Sequence, residues 1–130
     1  GATVIGAGTK FADLVAIGHG TTMGKHCLLV SQAGIAGSTT VGDYCSFAGQ
    51  CGIVGHIAIG DRVRVKTKAG VINDLESDTE VLGAPAMART EAKKIIISTM
   101  RLPEMAKKIK SMEGEIKELR AHIQGMRDDG

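Results

Sequence analysis

An all-β solenoid with a C-terminal helical extension is the fold class this sequence predicts, and three observations predict it. An apolar residue recurs at every sixth position: Ile5, Phe11, Ile17, Met23, Leu29, Ile35, Val41, Phe47, Ile53, Ile59, Val65 and Val71. The composition, with 18 glycines, two prolines and 2% aromatic residues, suits a coiled solenoid better than an ordinary globule. From Met87 onward glycine becomes scarce, and Lys, Glu, Met and Ile take over.

The six-residue period carries its own geometry. One hexapeptide makes one short strand and one turn, and three make a triangular coil. Residues eighteen apart then stack about 4.8 Å from one another, as neighbouring strands do. First-position side chains point into the prism. The next position is mostly small (Gly6, Ala12, Gly18, Gly24, Ala36, Gly42, Ala48, Gly60), which lets the chain turn at each corner. The fifth position is small or β-branched and also faces inward. No coil is stable alone, so stacking supplies the core, and about four coils fit between Ile5 and Glu76.

Length and charge narrow the classes. A chain of 130 residues holds one domain and an appendage. A net charge of +2 gives no whole-protein argument for nucleic acid as a partner. No apolar run reaches the length of a membrane span, and no signal peptide is visible. The chain opens on Gly1 in mid-pattern, so it reads as part of a longer protein. Cys27, Cys45 and Cys51 all take the fifth, inward position, where they behave as small buried hydrophobes. Their odd number favours reduced thiols and a cytoplasmic protein, although Cys27 and Cys45 stack one coil apart and leave a disulfide open. Their spacing matches no zinc motif, so no metal is expected.

The elements follow in order. Residues 1–76 are the solenoid. Residues 77–88 are an exit loop, with turn formers at Ser77 and Asp78 and a tight Gly83-Ala84-Pro85-Ala86 segment. Residues 89–130 are helical: one helix to about Met100, a kink or restart at Pro103, and a second helix to about Met126. The second helix carries apolar residues in steps of three and four: Leu102, Met105, Ile109, Met112, Ile116, Leu119, Ile123 and Met126. That narrow stripe is the seam of a coiled coil, and self-association is favoured over packing on the solenoid.

Stacking also picks out a place for chemistry. His19 is a third-position residue, and above it come Gly37, Gly55 and then Asn73. The fourth-position column beside it reads Gly20, Ser38, His56, Asp74. The wall next to His19 is therefore nearly bare for two coils, with His56 roughly 10 Å higher. A bare strip between two imidazoles suits an extended, flexible ligand; equally, corner glycines are normal in such a fold. Histidine is the usual general base near neutral pH. His26, below Tyr44 and Arg62 on another corner, and His122, on the helix, read as structural or solvated. No nucleophile elbow, P-loop or dinucleotide fingerprint is present.

At these residues a family resemblance becomes specific. Ile17-Gly18-His19-Gly20-Thr21-Thr22-Met23-Gly24 resembles the I-A-H-N-x-x-I-G segment of the UDP-3-O-acylglucosamine N-acyltransferases of lipid A biosynthesis. Gly34-Ile35-Ala36-Gly37-Ser38 and Gly49-Gln50-Cys51-Gly52-Ile53-Val54-Gly55-His56 are similar to its G-I-A-G-S and G-Q-x-G-I-x-G-H segments. Gly83-Ala84-Pro85-Ala86 resembles its exit loop. The resemblance implies a left-handed parallel β-helix, a homotrimer, and clefts built between neighbouring subunits. It implies that His19 is the general base and His56 an assisting group. Asp13, Gly20, Gly37, Ser38 and Gly55 would line the substrate and acyl groove. The substrate would be a UDP-aminosugar, and the 3-hydroxyacyl donor would ride on the phosphopantetheine of acyl carrier protein, with no further cofactor.

Two departures stand out. The family's Asn after its histidine is Gly20 here, and its I-D-N segment is Phe11-Ala12-Asp13. The family's N-terminal uridine-holding domain has no counterpart in these residues. Arg62, Arg64, Lys93, Lys94 and Arg101 form a basic set suited to docking the acidic carrier protein. Two other readings stand beside the N-acyltransferase: a non-catalytic trimeric scaffold, and an acetyl-CoA-dependent acyltransferase of the same fold.

Overall fold

The computed structural model describes residues 1–130. Twelve two-residue strands follow the apolar period: β1 (Val4–Ile5), β2 (Lys10–Phe11), β3 (Ala16–Ile17), β4 (Thr22–Met23), β5 (Leu28–Leu29), β6 (Gly34–Ile35), β7 (Thr40–Val41), β8 (Ser46–Phe47), β9 (Gly52–Ile53), β10 (Ala58–Ile59), β11 (Arg64–Val65) and β12 (Gly70–Val71). Then come β13 (Glu80–Leu82), β14 (Met87–Ala88) and one helix, α1 (Arg89–Asp128). The strands form three parallel sheets, β1-β4-β7-β10, β2-β5-β8-β11-β13 and β3-β6-β9-β12, with β14 added antiparallel to β13. Ile17 pairs with Ile35 and Ile35 with Ile53, so the eighteen-residue stacking is present as expected.

The core is a column of first- and fifth-position side chains. Leu29, Phe47 and Val63 are fully shielded, and Thr21 and Thr39 are buried with their hydroxyls donating to backbone carbonyls. Cys27, Cys45 and Cys51 are free and buried. Ile5 and Phe11 are exceptions: they sit in the end coil, with no neighbour below, and remain 42% and 45% exposed.

The turns work differently from the expectation. The small second-position residues do not bend the chain. The fourth position does: Leu14, Gly20, His26, Gln32, Ser38, Tyr44, Gln50, His56, Arg62 and Lys68 all have φ near +60°. The second-position glycines answer a packing demand instead. A methyl group on Gly6 would collide with the backbone carbonyl of Gly24, one coil on.

The last coil also departs from the simple repeat. Leu75 bridges Ile59, and Arg64 and Val65 pair with Glu80 and Val81, each a step of sixteen residues instead of eighteen. The corner after β12 has lost two residues, so Asn73 and Asp74 do not continue the columns of Gly55 and His56. Apolar phase explains the shift. Ser77 and Gly83 would fall inward at eighteen, whereas Leu75 and Val81 do so at sixteen. Asp78, with φ 63°, then takes the left-handed fourth position.

Residues 77–88 are not simply a loop, since they contain β13 and β14. The connecting turn has Gly83 at φ 99° and a cis Ala84–Pro85 bond, and the Ala86 amide donates to Gly70 at 2.7 Å. Nor do two helices follow. α1 is continuous over 40 residues with Pro103 inside it. Proline forfeits one backbone bond there, but Ala, Lys, Met, Leu and Glu on both sides are strong helix formers. The chain divides into two compact units, Gly1–Ala92 and Lys93–Gly130. No helix is long and apolar enough to cross a membrane.

Candidate active site

Three corners repeat up the prism, and they differ in how they treat the third-position amide. On the corner after β4, β7 and β10, that amide is capped from the next coil. Lys25 N–H donates to Asp43 Oδ1 at 2.7 Å, Asp43 N–H to Asp61 Oδ1 at 2.8 Å, and Asp61 N–H to Ser77 Oγ at 2.9 Å. On the corner after β3 and β6 the equivalent residues one coil on are Gly37 and Gly55. They have no side chain to accept, and the amides of His19 and Gly37 donate to no atom of the chain. Glycine here leaves unspent backbone donors beside an imidazole.

The imidazole lies over this bare wall. A methyl group on Gly37 would stand 2.9 Å from His19 Nε2 and 3.0 Å from Cδ2, so the ring rests where a side chain would otherwise be. A methyl on Gly55 would meet the Gly37 carbonyl oxygen at 2.7 Å. Backbone bonds tie the coils together: Ser38 N–H donates to His19 O at 2.8 Å and His56 N–H to Gly37 O at 3.2 Å. Gly20, Ser38 and His56 stack in the left-handed column, with φ of 66°, 60° and 64°. His19 and His56 are both solvent-exposed. Above them the shortened corner brings Asp74 round, and its carboxylate accepts the Ala58 amide at 2.8 Å. Sequence reasoning missed that role for Asp74, because it placed the residue in the His56 column.

His19, Gly20, Gly37, Ser38, Gly55 and His56 thus share one corner. Asp13 does not. It occupies the preceding corner, at the other end of β3, where its carbonyl accepts the Gln32 amide at 3.1 Å. The face between these corners is unusually bare. Its outward residues on β3, β6, β9 and β12 are Ala16, Gly34, Gly52 and Gly70, and Val54 and Ile72 rim an apolar surface there.

The basic residues are less available than their number suggests. Arg62 makes a bidentate pair with Asp78, at 2.6 and 2.9 Å, which raises its own pKa and lowers that of the Asp78 carboxyl. Arg64, Lys66 and Arg89 converge on Glu80 at 3.2, 3.4 and 2.9 Å. Lys93, Lys94 and Arg101 are exposed on the helix of the second unit. His26 stacks on Tyr44, with ring centroids 5.1 Å apart.

The buried thiols are structural. Cys27 Sγ donates to Gly42 O at 3.3 Å and Cys45 Sγ to Gly60 O at 3.0 Å. The neighbouring Cys27 thiol, and then burial, push the Cys45 thiol up. Burial pushes Cys51 up to about 11. No group of three or more His, Cys, Asp or Glu residues is arranged to hold a metal ion.

No protein-family model matches the chain. Curated relatives do. It is 50% identical over 125 residues to UDP-3-O-acylglucosamine N-acyltransferase 1 of Gloeobacter violaceus, spanning 96% of this chain and 36% of that protein. It is 54% identical over 116 residues to the enzyme of Prochlorococcus marinus (89% and 34%), and 50% over 120 residues to that of Bacteroides thetaiotaomicron (92% and 35%). The resemblance carried by the motifs therefore runs through nearly the whole chain, which spans about a third of the length of these relatives. Among solved structures, serine acetyltransferase of Neisseria gonorrhoeae superposes with a TM-score of 0.64 at 22% identity, over 67% of this chain and 37% of that one. The soybean serine acetyltransferase apoenzyme gives 0.63 at 25% identity, over 67% and 40%. These neighbours bear out the hexapeptide-repeat solenoid.

Proposed function

We propose that this chain is the β-helical and helical part of a UDP-3-O-acylglucosamine N-acyltransferase acting in lipid A biosynthesis. The observation that carries the reading is the His19 imidazole lying on the glycine wall beside free backbone amides. His19 takes a proton from the sugar's 2-amino group as the nitrogen attacks the thioester carbonyl of a 3-hydroxyacyl group on acyl carrier protein. The C–N bond forms, negative charge builds on the carbonyl oxygen, and collapse breaks the C–S bond, the departing thiolate taking the proton from His19 to leave as the carrier thiol. The Gly37 amide, with that of Gly55, suits the developing oxyanion. His56 assists by holding substrate, and Ser38 and Gly20 line the groove. Asp13 lies a face away on the same chain, so it serves His19 only if a neighbouring subunit brings its own Asp13 across. The protein is cytoplasmic and assembles as a homotrimer with clefts between subunits. Lys93, Lys94 and Arg101, with Arg62 and Arg64 at the rim of their ion pairs, supply the positive field for the acidic carrier.

The test is amide formation by the full-length protein, with carrier-protein and coenzyme A thioesters offered in parallel. His19→Ala should lower kcat about 10²-fold or more with donor binding near wild type. His56→Ala should cost less, or act mainly on KM. A His19→Ala rate within about threefold of wild type, far below the general-base range, removes the assignment and favours a scaffold. Activity with coenzyme A donors alone favours the acetyl-CoA-type reading.

A further inference from the structure

Two kinds of backbone bond tie the storeys of the His19 corner together. The third-position carbonyl accepts the fourth-position amide one coil on: Ser38 N–H donates to His19 O at 2.8 Å and His56 N–H to Gly37 O at 3.2 Å. The first amide of the following strand donates to the fifth-position carbonyl of the coil above, as Val4 does to Thr21 at 2.9 Å, Thr22 to Thr39 at 3.0 Å and Thr40 to Ile57 at 3.0 Å. Above His56 both ties are missing. The corner there is two residues short, so no amide reaches Gly55 O and no backbone carbonyl receives the Ala58 N–H. Yet His56 holds φ at 64°, a left-handed conformation that is unfavourable for a residue with a Cβ.

Asp74 restores one tie. Its carboxylate Oδ1 accepts the Ala58 amide at 2.8 Å, in the place a backbone oxygen takes in the coils below. An ionised carboxylate is a stronger acceptor than a neutral carbonyl. Leu75 N–H, next in the chain, donates to Ala58 O at 3.0 Å, so residues 74 and 75 hold Ala58 from both sides. We infer that Asp74 is a positioning residue for His56: by holding Ala58 it fixes the shortened corner from which that imidazole projects. The inference rests on the assisting role proposed above for His56.

The test is steady-state kinetics of the full-length protein, with melting curves for every variant. Asp74→Ala should move the same parameter as His56→Ala, kcat or KM, by about threefold to tenfold, the worth of one hydrogen bond. Asp74→Asn keeps an oxygen acceptor and should stay within about twofold of wild type. In a His56→Ala background, Asp74→Ala should add less than about twofold, because no imidazole is left to misplace. Asp43→Ala is the structural control. It removes a cap from the Lys25 amide on another corner, and it should lower the melting temperature to a similar degree with kinetics unchanged. A loss that persists in full without the His56 ring overturns the inference, as does an equal kinetic loss in Asp43→Ala, or an Asp74→Asn as impaired as Asp74→Ala. An Asp74→Ala variant with wild-type kinetics, where His56→Ala is impaired, overturns it and leaves the role of His56 standing. Wild-type kinetics in His56→Ala overturn both.

Discussion

The β-helix and the C-terminal helix both carry a regular apolar period, yet they satisfy it in opposite ways. In the β-helix the period closes on itself. Ile35, Ile53, Val41 and Ile59 are each no more than 4% exposed, because each coil is covered by the next. In α1 the period is laid out along one line. Ile109, Ile116 and Ile123 remain about half-exposed, at 55%, 48% and 50%. A period of six folds back and supplies its own partner after eighteen residues. A period of seven on a straight helix never returns to itself, and its stripe stays uncovered within the chain. Regular apolar patterning alone does not say whether a segment is self-sufficient; geometry of return does.

Breaking the β-helix should have the largest effect. Ile35→Asp buries an unpaired carboxylate in the stack and should cost about 4 kcal/mol or more, unfolding the domain. Unchanged thermal melting would refute the stacking. Next comes the tail. Deleting residues 102–130 should weaken assembly at least about tenfold, equivalent to about 1.4 kcal/mol, and leave the β-sheet circular dichroism intact. Assembly of undiminished strength would show that the helix adds nothing. A finer probe is Gly37→Ala, whose methyl meets the His19 ring and carbonyl at 2.9 Å. It should displace the imidazole and lower kcat about tenfold to a hundredfold, more than any loss of melting temperature explains. A normal kcat would mean that the ring's seat on the wall is irrelevant.

The smallest effect concerns Arg62 and Asp78, both more than half exposed. Asp78→Asn should barely change melting at pH 7. Because Arg62 lowers the Asp78 carboxyl below its usual range, any contribution exists above that range and disappears as acid protonates the group. The wild type and variant should therefore converge further near pH 3. Divergence in acid would reverse the sign of the assigned interaction.

Much of this was legible in the sequence because first-position residues have one place to go. Ile17, Ile35 and Ile53 announce their own stack, and His19 beneath Gly37 and Gly55 follows by counting eighteen. The corner that breaks the count was less visible, although its signal is present: Leu75 and Val81 are six apart, two residues ahead of phase, while Ser77 and Gly83 occupy the old phase. The persistence of α1 through Pro103 was not legible, because local rules give proline's cost but not whether its neighbours outweigh it. The separation of Asp13 from His19 followed from the same counting: residues 13 and 19 lie on successive corners. The family resemblance drew them together where chain geometry keeps them apart.

The missing pair of residues in the last coil also has an architectural consequence. Two corners of the prism continue upward past β11 and β12, while the one bearing His19 and His56 is cut short and folded over by Asp74. A ledge is left, with an imidazole just beneath its lip and an apolar face of Ala16, Gly34, Gly52 and Gly70 running alongside. The prism is built from repeated storeys, and it gains a distinct end by omitting part of one.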